Sequence, residues 1–394
     1  MHEFFATYGR GCLNFVKNEL IILQKHFTTQ IKILNDKLEG KILFKTNLNI
    51  EKLIHLKTIE RLFLNKLFLI TNDKNVTDLI ENDLDFGQDL KQQLEYYKII
   101  EPSSQNEPES KRTTQSIKYR INIKLTGAWR KNDDLRSNLI DIISNKINRF
   151  NYFEVDLKEP NFEIICHLSE ISLAIGIAVT KKPLSVRNYI KHDGLRSTVC
   201  SDMVQSALFD EILGDINEEN ITFILDPFCG KGCLINEWFS TIFNINNQQI
   251  FFGSDASLGQ IECSMENVSF LEKNSKYCDL VLSNLHEKSI FPYRNNMIDL
   301  IISDLPFGSQ HLKQFFTQSD TADGNQILEK FYSKLLNEFK RILINENAIL
   351  ILLINSNEVN IFENKVKELN KFEIKFKKNL SLGKTCAHLY KLVC

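Results

Sequence analysis

The chain has 394 residues, 43% of them hydrophobic and 25% charged, with a formal net charge of −2. That length exceeds one ordinary hydrophobic core and predicts two or three domains, while the composition is that of a globular protein and excludes wholesale disorder. Its longest apolar runs, such as Ala348 to Ile354, fall far short of the roughly 20 residues that cross a bilayer, and Met1-His2-Glu3-Phe4-Phe5 lacks a secretory pattern, so an intracellular setting is expected.

In chain order, Gly11 to Leu23 puts Leu13, Val16, Leu20 and Leu23 at helical spacing, and Lys41 to Lys45 reads as a short strand. The polar stretch Glu101 to Ser110 holds two prolines and no apolar period, which predicts a flexible loop over about 101–112. Ile117 to Leu125 then alternates as a strand, Leu135 to Ile147 is helical, and Phe162 to His167 with Ser172 to Val179 reads as a strand pair. From Lys111 to Arg196 there are 16 basic residues against 9 acidic ones, so this α+β module is expected to present a basic surface.

Near residue 200 the rhythm changes. Strands at Ile221 to Leu225, Ile250 to Ser254, Asp279 to Ser283, Ile298 to Ser303 and Ala348 to Ile354 alternate with helices. The helices lie near Leu234 to Phe243, Gly259 to Leu271, Gln326 to Ile342 and Glu358 to Leu369. Such alternation predicts a Rossmann-like α/β domain with a mostly parallel, doubly wound sheet, whose ligands bind beyond the carboxyl ends of its strands.

The first of those ends is Asp226-Pro227-Phe228-Cys229-Gly230-Lys231-Gly232, leading directly into a helix. Two glycines let the backbone approach a ligand closely, and a helix start offers free amides. Because Lys231 is followed by glycine, the run is not a phosphate-binding loop of the ATPase kind. The second strand ends in Asp255, placed to accept from the two ribose hydroxyls of an adenosine. The third ends in Ser283-Asn284, where the Asn284 amide can reach an adenine edge or simply form a turn. Nine cysteines are scattered without a Cys-x-x-Cys pair, so free, mostly buried thiols are expected, and no metal site.

The fourth strand runs into Asp304-Leu305-Pro306-Phe307-Gly308. An aromatic amine is a weak nucleophile because its lone pair is delocalised. Its attack on a methyl group needs an acceptor that polarises it and holds it in line. Asp304 can accept from the amine, Leu305 can add a backbone carbonyl, Pro306 stiffens the turn and Phe307 can stack on a base. The alternative is an ordinary turn after a buried strand.

The glycine loop and the Asp-Leu-Pro-Phe-Gly loop resemble those of class I amino-methyltransferases, specifically the THUMP-domain RNA guanine-N2 methyltransferases. Glu237 and the segment Tyr189 to Thr198 match the family as well, while Lys231 and Ser197 stand where threonine and proline are usual. The start Phe4 to Gly11 is most similar to one eukaryotic branch.

The resemblance implies S-adenosylmethionine as cofactor, held by Asp226, Pro227, Cys229, Gly230, Gly232, Asp255, Asn284 and Thr198. It implies an RNA substrate, U6 small nuclear RNA or transfer RNA, bound in part by Lys118, Arg120, Lys124, Trp129, Arg130 and Lys131. It also implies a small zinc-binding activator subunit, a nuclear location, and three regions: ferredoxin-like (1–60), THUMP (61–182) and methyltransferase (183–394). An adenine-N6 acceptor and an RNA-binding subunit without catalysis remain open at this point.

Overall fold

The computed structural model describes all residues except 73–74, 101–115, 214–221, 242–248, 272–276, 286–289, 309–323, 345–347 and 384. The loop expected at 101–112 thus lies outside the described residues. The chain divides into two compact units, Met1–Tyr8 with Leu23–Leu184, and Gly9–Ile22 with Ser185–Cys394. No helix among the described residues is long and apolar enough to cross a membrane.

The first five helices among the described residues are α1 (Leu13–His26), α2 (Ile50–Leu53), α3 (Val76–Asp83), α4 (Leu90–Tyr96) and α5 (Asp133–Ile147), and the first unit is built on one eight-stranded sheet. Its strands are β1 (His2–Tyr8), β2 (Ile31–Asn35), β3 (Lys41–Thr46), β4 (Ile59–Ile70), β5 (Ile117–Leu125), β6 (Phe153–Val155), β7 (Phe162–Ser169) and β8 (Ser172–Ala178), in the order β2-β3-β1-β4-β8-β7-β5-β6. The first four pair antiparallel in the order of a ferredoxin-like fold. β4 and β8 pair antiparallel and fuse this half to the second. β8 is buried along its whole length, so it reads as an apolar run rather than an alternation. Gly176 on it is required, because a Cβ there would meet the Phe5 ring at 2.5 Å and the Leu64 carbonyl at 2.7 Å.

The second unit holds α6 (Ser197–Leu213), β9 (Thr222–Asp226), α7 (Cys233–Phe239), β10 (Gln249–Asp255), α8 (Leu258–Ser269) and β11 (Cys278–Leu282). Then come β12 (Leu300–Asp304), α9 (Gly324–Ile342), β13 (Ile349–Asn355), α10 (Val359–Leu369), β14 (Glu373–Ser381) and β15 (Cys386–Val393). The sheet order is β11-β10-β9-β12-β13-β15-β14. The first five are parallel and β15 is antiparallel to both neighbours, which gives the mostly parallel seven-stranded sheet expected. β12 starts two residues later than its apolar run suggests. Ile298 makes only an isolated bridge to Leu343, and the Asp299 carboxylate accepts the Phe223 N–H at 2.7 Å.

On α9, Leu328, Phe331, Tyr332, Leu335, Phe339 and Ile342 recur at three- and four-residue spacing and face the core beside β12 and β13. Each such side chain contributes about 1.5–3 kcal/mol on burial. That packing fixes where β12 ends. The order reverses between β9 and β12, so the carboxyl ends of these two adjacent strands flank the crevice where such sheets bind ligands.

Candidate active site at the strand ends

A cavity of about 300 Å³ opens at this switch point. Asp226, Cys229 and Gly230 line it from the glycine loop, Asp304 from the end of β12, Asp193 to Leu195 from the segment before α6, and Gln260 from α8. Of the other expected cofactor contacts, Pro227, Gly232, Asp255, Asn284 and Thr198 do not line its wall.

The glycine loop is held from below. Asp226 Oδ1 accepts the Phe228 N–H at 3.1 Å and the Ser303 hydroxyl at 2.6 Å, tying β9 to β12. Burial pushes its carboxyl up to about 7. Cys229 N–H donates to the Ser254 carbonyl at 2.8 Å. The two oxygens of Asp255 accept the Gly230 N–H at 3.0 Å and the Ser257 N–H at 2.8 Å, so this carboxylate first of all shapes the loop and starts α8.

Gly230 has φ +51 and nothing within 4 Å of a would-be Cβ, so its backbone faces open space. Gly232, at φ +73, would drive a Cβ to within 2.3 Å of Ser264 Oγ, so only glycine can begin α7 here. All nine cysteines are free. Burial raises the Cys229 and Cys233 thiols, the latter to about 11, which leaves both inert.

Asp304 is partly exposed along the cavity wall, but its Oδ1 is buried and accepts no hydrogen bond. Burial, and then the neighbouring Asp226, pushes its carboxyl up to about 8. The backbone around it is pinned. Leu305 N–H donates to the Leu353 carbonyl at 3.1 Å and its side chain lies in the core, which leaves its carbonyl as the feature that can face a ligand. Pro306 and Phe307 are half-exposed.

Sequence reasoning missed the residue that anchors the far end of this loop. Glu358, buried just beyond β13, accepts the Gly308 N–H through Oε1 at 2.6 Å and the Tyr332 hydroxyl through Oε2 at 2.6 Å. Its place after the fifth strand was the available signal.

The segment before α6 is likewise fastened to the cofactor loop. Asn267 on α8 accepts the N–H groups of Lys191 and His192 at 2.7 and 2.9 Å, and donates to the carbonyls of His192 at 2.9 Å and Lys231 at 2.7 Å. Buried Glu237 on α7 takes Arg187 Nε at 2.8 Å, the Tyr189 hydroxyl at 2.8 Å and the Ser201 hydroxyl at 2.6 Å. Glu237 therefore works through this network, holding Asp193 to Leu195 at the cavity mouth.

Of the expected RNA contacts, Lys118, Arg120 and Lys124 alternate along β5 with the buried Tyr119, Ile123 and Leu125. Lys118 pairs with Asp156 at 2.8 Å and Arg120 with Glu163 at 3.0 Å, while Lys124 is exposed. Trp129 is half-exposed in the turn Gly127–Trp129, and Arg130 and Lys131 are exposed after it.

No family model matches the chain. It is 30% identical over 200 residues to the U6 snRNA (guanine-N(2))-methyltransferase THUMPD2 of Bos taurus, which covers 51% of this chain and 34% of the relative. It is 26% identical over 165 residues to the human tRNA (guanine(6)-N(2))-methyltransferase THUMP3, covering 40% of this chain and 30% of that one. Over about half its length the chain is thus similar to THUMP-domain guanine-N2 methyltransferases.

The matches span only about a third of these relatives' own length. In solved structures the fold is that of TrmN from Thermus thermophilus, at TM-score 0.68 and 15% identity over 100% of this chain and 99% of that one. It is also that of SMU.472, a methyltransferase complexed with SAH, at TM-score 0.62 and 14% identity over 99% and 97%.

Proposed function

We propose that this protein transfers a methyl group from S-adenosylmethionine to guanine N2 in RNA. The observation that carries the reading is the buried, unpartnered oxygen of Asp304 on the wall of the cavity that Gly230 leaves open. The cofactor supplies an electrophilic methyl on a cationic sulfur, and the wall offers Asp226, Asp304 and Asp193 to a positive charge against one cation of its own among the described residues, Lys231. A cation placed there favours the ionised form of Asp304. Asp304 can then accept from the amine, and its pKa near neutrality suits it to take the proton that methylation releases.

In this reading Asp226, Pro227, Cys229, Gly230 and Gly232 cradle the cofactor, while Thr198 and Asn284 flank it and Asp255 reaches its ribose. Leu305 and Pro306 fix the amine's approach. Phe307 covers an unpaired or extruded base, as an enzyme acting on a base inside folded RNA requires.

The relatives' names favour U6 small nuclear RNA, and so a nuclear setting, with transfer RNA as the second candidate. For the zinc-binding activator, the edge strand β11 is the place to dock. It has only one neighbour in the sheet, and Leu282 on it and Met265 and Phe270 by the adjacent α8 are exposed large apolar groups.

The test is labelled methyl transfer to U6 and transfer RNA transcripts, with and without the activator, followed by nucleoside analysis. N2-methylguanosine is expected, and Asp304→Asn should lower the rate by about 10²–10³-fold while cofactor and RNA still bind. RNA binding without any cofactor uptake by the wild-type chain would instead make it a binding subunit.

A further inference from the structure

The wall of the cavity at the strand ends is acidic except at one corner. Asp193, Asp226 and Asp304 line it, and Lys231 is the one cation among the described residues that do. Lys231 stands between two glycines with left-handed backbones, Gly230 at φ +51 and Gly232 at φ +73, so the loop turns on both sides of it. Its own carbonyl accepts the Asn267 side-chain amide at 2.7 Å, which fixes where its side chain starts. Gly194 packs against this corner, since a Cβ there would stand 3.7 Å from Lys231 Cβ and 3.0 Å from Cys233 Sγ. The segment Asp193 to Leu195 therefore lies directly against the lysine stem.

Lys231 is half-buried, yet it forms no ion pair with any described carboxylate, although three share its cavity. Those carboxylates face elsewhere. Asp226 accepts the Phe228 N–H and the Ser303 hydroxyl, and Asp304 ends in its orphaned Oδ1. The charge of Lys231 thus closes no contact within the fold. What it offers is a counter-charge to an anion. A carboxylate that enters a partly desolvated site lined by acids loses hydration and is repelled, and a cation beside it offsets both costs.

We infer that Lys231 receives the α-carboxylate at the methionine end of S-adenosylmethionine. The cofactor carries a sulfonium, an α-ammonium and that carboxylate. The two cations suit the acids on the wall, and the carboxylate alone calls for a positive partner. An ammonium on a flexible four-carbon stem suits a carboxylate at the end of a flexible chain, because it pairs as a point charge and not through a rigid fork. The carboxylate is the same before and after the methyl leaves, so Lys231 binds the methyl donor and its demethylated product alike. Such uniform binding lowers KM without raising kcat. Lys231 is then a specificity-determining residue that selects the amino-acid end of the cofactor and takes no part in the transfer itself.

The assignment rests on S-adenosylmethionine as the methyl donor, and the experiment separates the two. The full chain is titrated calorimetrically with S-adenosylmethionine and with decarboxylated S-adenosylmethionine, which lacks only that carboxylate. Wild type, Lys231→Met, Lys231→Thr and Lys231→Arg are compared, with thermal unfolding of each in the absence of ligand. In both neutral variants the ratio of the two affinities should shift by about tenfold toward the decarboxylated form, the low end for a charged hydrogen bond at a half-exposed site. In Lys231→Arg it should stay within about twofold of wild type, and all three variants should melt as wild type does. In methyl transfer, Lys231→Met should raise the KM for the cofactor about tenfold and leave kcat within about twofold.

A ratio unchanged in the neutral variants, whether both ligands weaken together or neither does, overturns the assignment and leaves the cofactor in place. Lys231 would then shape the loop or meet the RNA. A wild-type chain that binds neither ligand overturns both readings. A shifted ratio in a chain that transfers no methyl group to RNA upholds the role of Lys231 and removes the proposed reaction.

Discussion

The seven-stranded sheet ends two adjacent strands in carboxylates that line one cavity, buried Asp226 and partly exposed Asp304, whereas the eight-stranded sheet sets Lys124 in register with His167 and Arg61 over the Phe63 ring against which His167 packs. In both places like charges share a partly desolvated site, and one polar atom, Asp304 Oδ1 or His167 Nδ1, is left without a partner. Such arrangements destabilise a fold that stands alone. The signs differ, and so does the geometry. The acidic pair lines a cavity of about 300 Å³, the basic group one face of a sheet. Among the described residues the crevice carries one cation on its wall, Lys231, and the sheet face a carboxylate, Glu163, which Arg61 and Arg120 share.

The contrast is sharpest at the Asp304 loop, whose position depends on Glu358. Glu358→Ala removes the acceptor for Gly308 N–H and the partner of the Tyr332 hydroxyl. Displacing a reacting group by an ångström costs up to about 100-fold in rate. The expected result is a fall of that size in kcat with cofactor affinity within about twofold of wild type, and substantial recovery in Glu358→Gln, which keeps an acceptor for Gly308. A parallel loss of rate and cofactor affinity in both variants would reduce Glu358 to a packing residue.

Asp255 tests whether the acidic character of the crevice extends to the cofactor's sugar. Its oxygens hold the Gly230 and Ser257 amides, yet each retains a lone pair. Loss of charged hydrogen bonds costs about 1.5–3 kcal/mol, or roughly 10–100-fold in affinity. Calorimetric titration of Asp255→Ala with S-adenosylmethionine should show that loss, with Asp255→Asn intermediate. If the affinity holds and only the melting temperature falls, Asp255 serves the loop and not the ligand.

The readable parts of this protein are those whose constraint is local. β9, β10, β12 and β13 are short apolar runs that end in Asp226, Asp255, Asp304 and Asn355, and a doubly wound sheet puts function at those ends, so the crevice could be located from spacing. α6 escaped notice because its polar side is buried too. Thr198, Ser201, Asp202 and Gln205 are covered along with Val199, Cys200, Met203 and Val204, which erases the amphipathic stripe. β14 escaped because Glu373–Ser381 alternates lysines with few large apolar residues.

Glu358 and the Arg187–Glu237–Ser201 network depend on partners up to 50 residues away. No local pattern encodes these. Lys118 and Arg120, expected among the RNA contacts from the basic composition of their region, are paired in the fold with Asp156 and Glu163, which composition does not reveal.

The smallest expected effect bears directly on the claim that Asp304 is left uncomfortable by design. Its folded pKa lies above the ordinary carboxylate value, at about 8, chiefly through burial. The folded state therefore holds the proton more tightly than the unfolded one. The stability this contributes is complete in acid, declines as pH rises from the ordinary carboxylate range toward 8, and is flat beyond.

Asp304→Asn removes the titration without changing the shape. Its melting temperature should match wild type near pH 5 and exceed it by roughly 3–6 °C at pH 8–9, the size expected for about 1–2 kcal/mol in a domain of this length. Saturating S-adenosylmethionine should shrink the gap, because a cation beside Asp304 lowers its pKa toward the ordinary range. Curves that run parallel at every pH would mean that Asp304 ionises at no cost, and the symmetry between acidic crevice and basic face would fail.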